Sequence, residues 1–351
     1  MSDTDIVPVF DGHNDTLLRL LRDDDPQARS FFERGERGHV DLPRAREGGF
    51  AGGFFAMFTP SDNGGGKRTV NTAGEVSPAR PVERDKAQHY VTALAARLNR
   101  LETTSDGRFQ VVTTADQLAA CLDNGTMAAI FHIEGAEAID PGFDTLELYY
   151  RAGLRSLGIV WSRQNIFGHG VPFRFPGTPD IGPGLTGAGE ALIEACNRLG
   201  ILVDLSHLNE KGFWDVARLS QAPLVATHSN AHAICPHPRN LTDDQLRAIR
   251  DTDGVVGVNF AVGMLDEEGR DDANLPLETI VRHIEHLLGI LGQRGVAIGS
   301  DFDGCRVPKA IGSAAGVQEL VGAMRLAGFD DALVLDLCHR NWLDLLRRTW
   351  R

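Results

Sequence analysis

Residues 187–228 read GAGEALIEACNRLGILVDLSHLNEKGFWDVARLSQAPLVATH, and this stretch decides the fold. An amphipathic helix candidate, Gly187–Leu199, runs into a short apolar strand at Ile201–Leu205, and a second apolar strand follows at Leu224–Thr227. A histidine stands at the end of each strand, His207 after the first and His228 after the second. The pattern repeats outward in both directions. Apolar runs of strand length lie upstream at Ile6–Phe10, Gly53–Phe58, Ala128–Ile133 and Ser156–Trp161, and downstream at Val255–Phe260 and Val296–Gly299. Further amphipathic candidates are Val82–Leu101, Leu146–Ala152, Asp243–Arg250 and Leu277–Leu291. Strands alternating with helices predict a parallel α/β fold. Eight strands close on themselves around a side-chain-filled interior, so the expectation is a (β/α)8 TIM-type barrel forming one domain over residues 1–351. Two long loops, Ser61–Ser77 and Gly168–Gly189, follow strands and are placed to build a pocket.

Composition narrows the function. With 42% hydrophobic and 24% charged residues over 351 positions, the chain can bury a core without disulfides or a structural metal. A formal charge of -13 argues against nucleic acid and anionic membrane surfaces as partners. No apolar run approaches the roughly 18 residues that span a bilayer. The start, Met1-Ser2-Asp3-Thr4-Asp5, lacks the basic and apolar regions of a secretory signal, so a cytoplasmic location is expected. Five scattered cysteines without a CxxC pair suggest reduced, buried thiols.

The strand ends carry the chemistry. His13 and Asp15 follow the first run, Glu134 ends the third, His207 the fifth, His228 the sixth and Asp301 the eighth. In a parallel barrel these ends share one face, so six residues spread along the chain converge. Imidazole nitrogens and carboxylate oxygens suit zinc and related divalent ions. Three of each exceed the needs of one tetrahedral ion. They suit two ions sharing a carboxylate and a water, with one carboxylate left over as a base, an arrangement that activates water for hydrolysis.

Several segments resemble the renal-type (membrane) dipeptidases. These are Ile133-Glu134-Gly135-Ala136 with Ile139, Leu146, Tyr150 and Gly153-Leu154-Arg155, Asp41-Leu42-Pro43-Arg44, Arg239-Asn240, Asp301-Phe302-Asp303-Gly304 and the closing Asn341-Trp342-Leu343. The resemblance implies a metallo-dependent hydrolase with two zinc ions, one held by His13 and Asp15, the other by His207 and His228, with Glu134 bridging. It implies that Asp301 is the general base that takes a proton from a water shared by the metals, leaving a bridging hydroxide, and passes it to the leaving amine. Arg239 would clamp the C-terminal carboxylate of a small L-L or L-D dipeptide. A homodimer is compatible with this reading. The family's histidine after the fourth strand falls on Trp161, which places an indole against the substrate and leaves Arg163 or His169 as substitutes. A tyrosine common after the seventh strand falls on Met264, and the ending Arg347–Arg351 carries no hydrophobic tail for a glycolipid anchor. Two alternatives stay open: a binuclear amidohydrolase acting on another amide or a lactone, such as an N-acyl amino acid, and a barrel that binds without catalysis.

Other residues read as structural. His132 is expected to pack in the interior, His232 and His237 to lie at a rim, and His283 and His286 to be solvated on a helix. Asp303 reads as a supporting or turn-capping carboxylate, and His339 has no evident partner. Gly12, Gly135 and Gly304 are explained equally well by ordinary loop geometry.

Overall fold

The computed structural model describes residues 6–22, 30–61 and 79–350. The expected Ser61–Ser77 loop, Ser61 aside, and the acidic start lie outside the described residues.

Each expected run overlaps a strand. They are β1 Val9–Asn14, β2 Phe50–Phe58, β4 Met127–Glu134, β5 Leu154–Gly158, β6 Leu202–Asp204, β7 Val225–Ala226, β8 Val255–Val258 and β9 Val296–Ile298, with a short β3, Phe109–Val111, between β2 and β4 in the chain. All pair in parallel, in the order β1-β2-β4-β5-β6-β7-β8-β9, while β3 pairs with β4 off this path. The residues after β9 return to β1. Asn14 bridges Phe302, Asp301 N donates to His13 O at 3.0 Å, and Asp15 N donates to Phe302 O at 2.8 Å. The result is a nearly closed barrel of eight parallel strands. β3 was missed because three residues between a helix and a loop show too little period to read.

Helices cover the outside, and polar residues at their first turns set where they begin. Thr114 and Thr242 form capping boxes with Gln117 and Gln245, and Asn209 accepts from Gly212 N to start the helix Glu210–Leu219. Asn209 lies two residues past His207, so this cap also fixes how the chain leaves the end of β6.

The end of the barrel opposite the strand C-termini is plugged. Phe10, Phe54, Ile130, Leu202, Val225, Val255 and Ala297 meet Trp342, Leu345 and Leu346 of the C-terminal helix Asn341–Thr349 in one buried cluster. Trp342 Nε1 donates to Ile298 O at 2.9 Å, and Asn341 Nδ2 donates to Gln293 O and Val296 O, both at 2.7 Å. Truncating an aromatic packed this way costs about 3–5 kcal/mol. With one end filled by side chains, the other is left for chemistry.

Two expectations about histidines are corrected. His283 is not solvated but fully buried, with Nδ1 accepting from Ala231 N at 3.2 Å and Nε2 facing Leu265 O at 3.0 Å. Its helix packs that face against the turn Val262–Leu265 rather than toward water. His286, one turn on, is half-buried and pairs with Asp243 Oδ1 at 2.8 Å. His339 does have a partner: its Nδ1 lies 3.0 Å from Pro8 O, tying the chain's end to its beginning. Four cysteines are buried, and Cys305 sits half-buried at the open end of the barrel. No helix among the described residues is long and apolar enough to cross a membrane.

Candidate metal centre

The six residues named from strand ends come together. His13, Asp15, Glu134, His207, His228 and Asp301 are all buried, none exposing more than 9% of its surface. Glu134 Oε1 is the hub, with His207 Nε2 at 3.0 Å, His228 Nε2 at 3.6 Å and His13 Nε2 at 3.7 Å. His13 Nε2 lies 3.8 Å from Asp15 Oδ2, and His207 Nε2 lies 3.1 Å from His228 Nε2. Ligand atoms of His13, Glu134 and His228 lie within 4.8 Å of one another, as do those of His13, Asp15 and Asp301. These groupings divide the donors differently from the resemblance, with His13 common to both and Asp301 inside the second.

The backbone is bent to achieve this. His207 and Asp301 both sit at positive φ, 69° and 58°, a region that non-glycine residues rarely occupy. Neighbours hold them there: Val171 N donates to His207 O at 2.8 Å, and Gly304 N and Cys305 N donate to Asp301 O at 3.1 and 3.2 Å. Strain of this kind persists where the surroundings over-determine the conformation, and it concentrates at functional sites.

Outer contacts aim the side chains. Ser162 Oγ lies 2.7 Å from His207 Nδ1, and Thr227 Oγ1 lies 2.8 Å from His228 Nδ1, so both Nε2 atoms face inward. Asn259 Nδ2 donates to Asp301 Oδ2 at 3.0 Å. Asp11, beneath His13, accepts from Ser300 N at 2.6 Å and Ser300 Oγ at 2.8 Å. Both His13 nitrogens and Asp15 Oδ1 are buried without a hydrogen-bond partner. Buried polar atoms left over in this way are costly unless something answers them.

Electrostatics agrees. Burial pulls the His13 imidazole down, but the charges of Glu134, Asp15 and Asp301 outweigh it and carry the ring up to about 10. Burial pushes Glu134 well above the ordinary carboxylate range and raises Asp301. His207 and His228 are driven well below the usual imidazole value, first by burial and then by the cationic Arg239 and His13 nearby. A buried cluster of carboxyl groups around two imidazoles held neutral, His207 and His228, is a site for a cation. The orphaned nitrogens, the inward Nε2 atoms and the mixed nitrogen and oxygen donors fit zinc or a similar divalent ion.

A cavity of about 220 Å³ opens above these groups. Asp15, Glu134, His207 and Asp301 form its polar side, and Leu18, Phe58, Trp161, Phe173 and Met264 its apolar side. Trp161 lies in the wall with ring centroids 5.0 Å from Phe58, 5.4 Å from Phe173 and 5.7 Å from His207. Arg163 does not take the place of the missing histidine. It is buried behind Trp161, 5.2 Å from that ring, and donates from Nε to Glu137 Oε1 at 2.7 Å. Arg239 lies deeper than the cavity wall. Its Nη2 donates to His228 O at 3.0 Å and Nη1 to Ser229 Oγ at 3.3 Å, while Nε has no partner. Asp303 supports the loop: its Oδ1 accepts from His39 N at 2.7 Å, and its own N donates to His39 Nδ1 at 2.8 Å. His132 packs in the interior with Nδ1 2.9 Å from Ser156 Oγ. His237 is buried and accepts from Arg239 N at 3.1 Å.

Sequence reading missed Asp204, Thr227, Ser162, Asn259 and Gly304. The first four stand next to, or at the ends of, strands already identified, but uncharged or singly placed residues there give no chemical pattern. Gly304 was set aside as loop geometry. A Cβ on it would come closer than 3.0 Å to both Asp15 Oδ2 and Asp301 Oδ1, so its missing side chain makes room for the carboxylates.

Comparison with known proteins gives this geometry a family. The profile of the membrane dipeptidase family, peptidase family M19, matches residues 4–350. A metallopeptidase from Rhodobacter sphaeroides, solved with a phosphinate mimic of the dipeptide L-Ala-D-Ala, is 51% identical, with a TM-score of 0.95 over 99% of this chain and 100% of that one. An uncharacterized protein of Klebsiella pneumoniae from the pqqA 5' region is 49% identical over 256 residues, 73% of this chain and 94% of that protein. An uncharacterized dipeptidase of Schizosaccharomyces pombe is 31% identical over 300 residues, 84% of this chain and 69% of that protein. The alternative of a hydrolase for another amide or a lactone is not favoured by these relatives. The chain belongs to the membrane dipeptidase family, peptidase family M19, and is a metallodipeptidase, a hydrolase of peptide bonds.

Proposed function

We propose that this enzyme cleaves small free dipeptides, including those with a D-residue at the C-terminal position, using two zinc ions. The observation that carries the proposal is the buried convergence of three histidine Nε2 atoms on Glu134 Oε1, within 3.0–3.7 Å, beside Asp15 and Asp301. His13 and Asp15 would hold one ion, His207 and His228 the other, and Glu134 both. When bound, the metal supplies Lewis acidity toward water and toward the scissile carbonyl.

The chain's own residues do the rest. Asp301, raised by burial and oriented by Asn259, takes a proton from the attacking water and returns it to the leaving amine. Arg239, held by His228 O and Ser229 Oγ just behind the cavity, would supply the positive charge that draws the C-terminal carboxylate of the substrate. Trp161, Phe58 and Phe173 exclude water along one side. A cavity of about 220 Å³ suits a dipeptide of small residues, and the L-Ala-D-Ala mimic bound by the Rhodobacter sphaeroides relative is of that size and stereochemistry. The proposed location is cytoplasmic.

The test is hydrolysis of a panel of L-L and L-D dipeptides by zinc-loaded protein, with metal quantified in the same sample. Two metals per chain with turnover of small L-L and L-D dipeptides is the expected result. Turnover confined to N-acyl amino acids would overturn the substrate assignment, and a single tightly held ion at full activity would overturn the binuclear one.

A further inference from the structure

We propose that Asp204 and Thr227 hold His228 as the tautomer protonated on Nδ1, so that its Nε2 is already a bare metal ligand before any metal arrives. The inference rests on the reading of His228 as a metal ligand and concerns how the chain prepares it.

The argument is a count of protons. Thr227 has one hydroxyl proton. Its Oγ1 donates to Asp204 Oδ2 at 2.7 Å, so the proton is committed there. The same Oγ1 lies 2.8 Å from His228 Nδ1. With its proton spent, Oγ1 must accept in that bond, and Nδ1 must carry the hydrogen. A neutral imidazole then has none on Nε2, the atom that faces Glu134 Oε1 at 3.6 Å.

Asp204 is itself fixed. Its Oδ1 accepts from Ser206 N at 3.0 Å and Thr227 N at 2.8 Å, so one carboxylate ties the end of β6 to the end of β7. All three side chains are buried, with Asp204 and His228 1% exposed and Thr227 fully covered. Three glycines, Gly12, Gly257 and Gly299, let neighbouring strands close on the Thr227 carbonyl, where any Cβ would come nearer than 3.0 Å. These contacts fix the Thr227 backbone, and the bond to Asp204 fixes its hydroxyl. His207 has no comparable lock. Ser162 Oγ, 2.7 Å from His207 Nδ1, makes no other side-chain hydrogen bond among the described residues and is free to donate or accept. Asp204 and Thr227 are therefore positioning residues: they act on metal affinity through His228 and touch neither metal nor substrate.

The experiment measures zinc affinity by competition with a chelator, and the His228 tautomer by ¹⁵N NMR of the metal-free protein. Thr227→Val keeps the shape but removes the hydroxyl, and it is expected to weaken zinc by about 10–100-fold, the usual scale for a residue that orients a ligand. Thr227→Ser restores the hydroxyl and is expected to return affinity to within about threefold of the unaltered protein. Asp204→Asn places an amide donor against Oγ1, turns the threonine proton toward Nδ1 and is expected to move the His228 hydrogen to Nε2. A Thr227→Val protein that binds zinc as tightly as the unaltered one would overturn the proposal. So would a metal-free spectrum showing His228 protonated on Nε2. If Thr227→Val does not fold, Thr227→Ser, Asp204→Asn and the spectrum of the unaltered protein still decide. If the unaltered protein bound no zinc at all, the metal-centre reading would fall, and the spectrum alone would decide the lock.

Discussion

Gly304→Ala tests whether the two carboxylates of the centre are placed as tightly as the structure implies. Gly304 is exposed to solvent on one side, and its φ is not in the left-handed region, so the backbone accepts alanine without strain. The added methyl is the only perturbation. It would come closer than 3.0 Å to Asp15 Oδ2 and Asp301 Oδ1, where ordinary contact is 3.4–4 Å. Both carboxylates must therefore retreat by about 1 Å, and neither can go far, since Asp301 is held by Asn259 and both are buried. A displacement of about 1 Å at reacting groups costs about 100-fold in rate. Because Asp15 is a proposed ligand, zinc affinity is expected to fall by about 10–100-fold as well. Stability should change little, because the methyl points into the cavity rather than into the core. The assay is kcat/KM on a small dipeptide at saturating zinc, with zinc affinity from chelator competition and Tm from calorimetry. A variant within about threefold of the parent in kcat/KM and in affinity would refute the reasoning, because the carboxylates would then have room that the structure denies them.

Four further outcomes are expected. Asp301→Asn should retain zinc while kcat falls by at least about 100-fold, the scale of a lost general base, and parallel loss of metal would make Asp301 a ligand instead. Arg239→Ala should raise KM for dipeptides with a free C-terminal carboxylate far more than for their amides; equal effects on both would remove the clamp. His283, pushed down to about 4 by burial from an ordinary 6.5, should make the fold acid-labile. The unfolded chain binds the proton first, so stability is full above pH 6.5 and falls as pH drops toward 4, by about 3 kcal/mol in all. Urea melts of His283→Leu across that window should lose this slope. Arg163→Met should destabilise by about 3–5 kcal/mol by leaving Glu137 buried and unpaired, and Arg163→Met with Glu137→Leu should recover most of it.

The fold was legible because its signals are local. Strand-length apolar runs separated by helical periods state the class, and in a parallel barrel every strand end faces the same way. That is why His13, Asp15, Glu134, His207, His228 and Asp301 could be gathered from positions scattered over the chain without knowing any distance between them. β3 escaped because three residues carry no period. His283 was misjudged because a helix pattern shows which residues share a face, while the partner packed on that face, here the Val262–Leu265 turn, comes from elsewhere in the chain.

What the sequence by itself determined, then, is the architecture, the family and the candidate ligands, since residue type and spacing carry these directly. Tertiary structure alone decided how the residues are used. Arg163 could have reached into the pocket and instead pairs with Glu137 behind Trp161. Asp11 and Ser300 meet across 289 residues, and Asp204 reaches Thr227 across 23. Contacts of this kind depend on how the barrel closes and on the exact backbone torsion at positions such as His207 and Asp301. A hydrogen bond is lost over a few tenths of an ångström, and a pattern read along the chain specifies position only to the nearest residue.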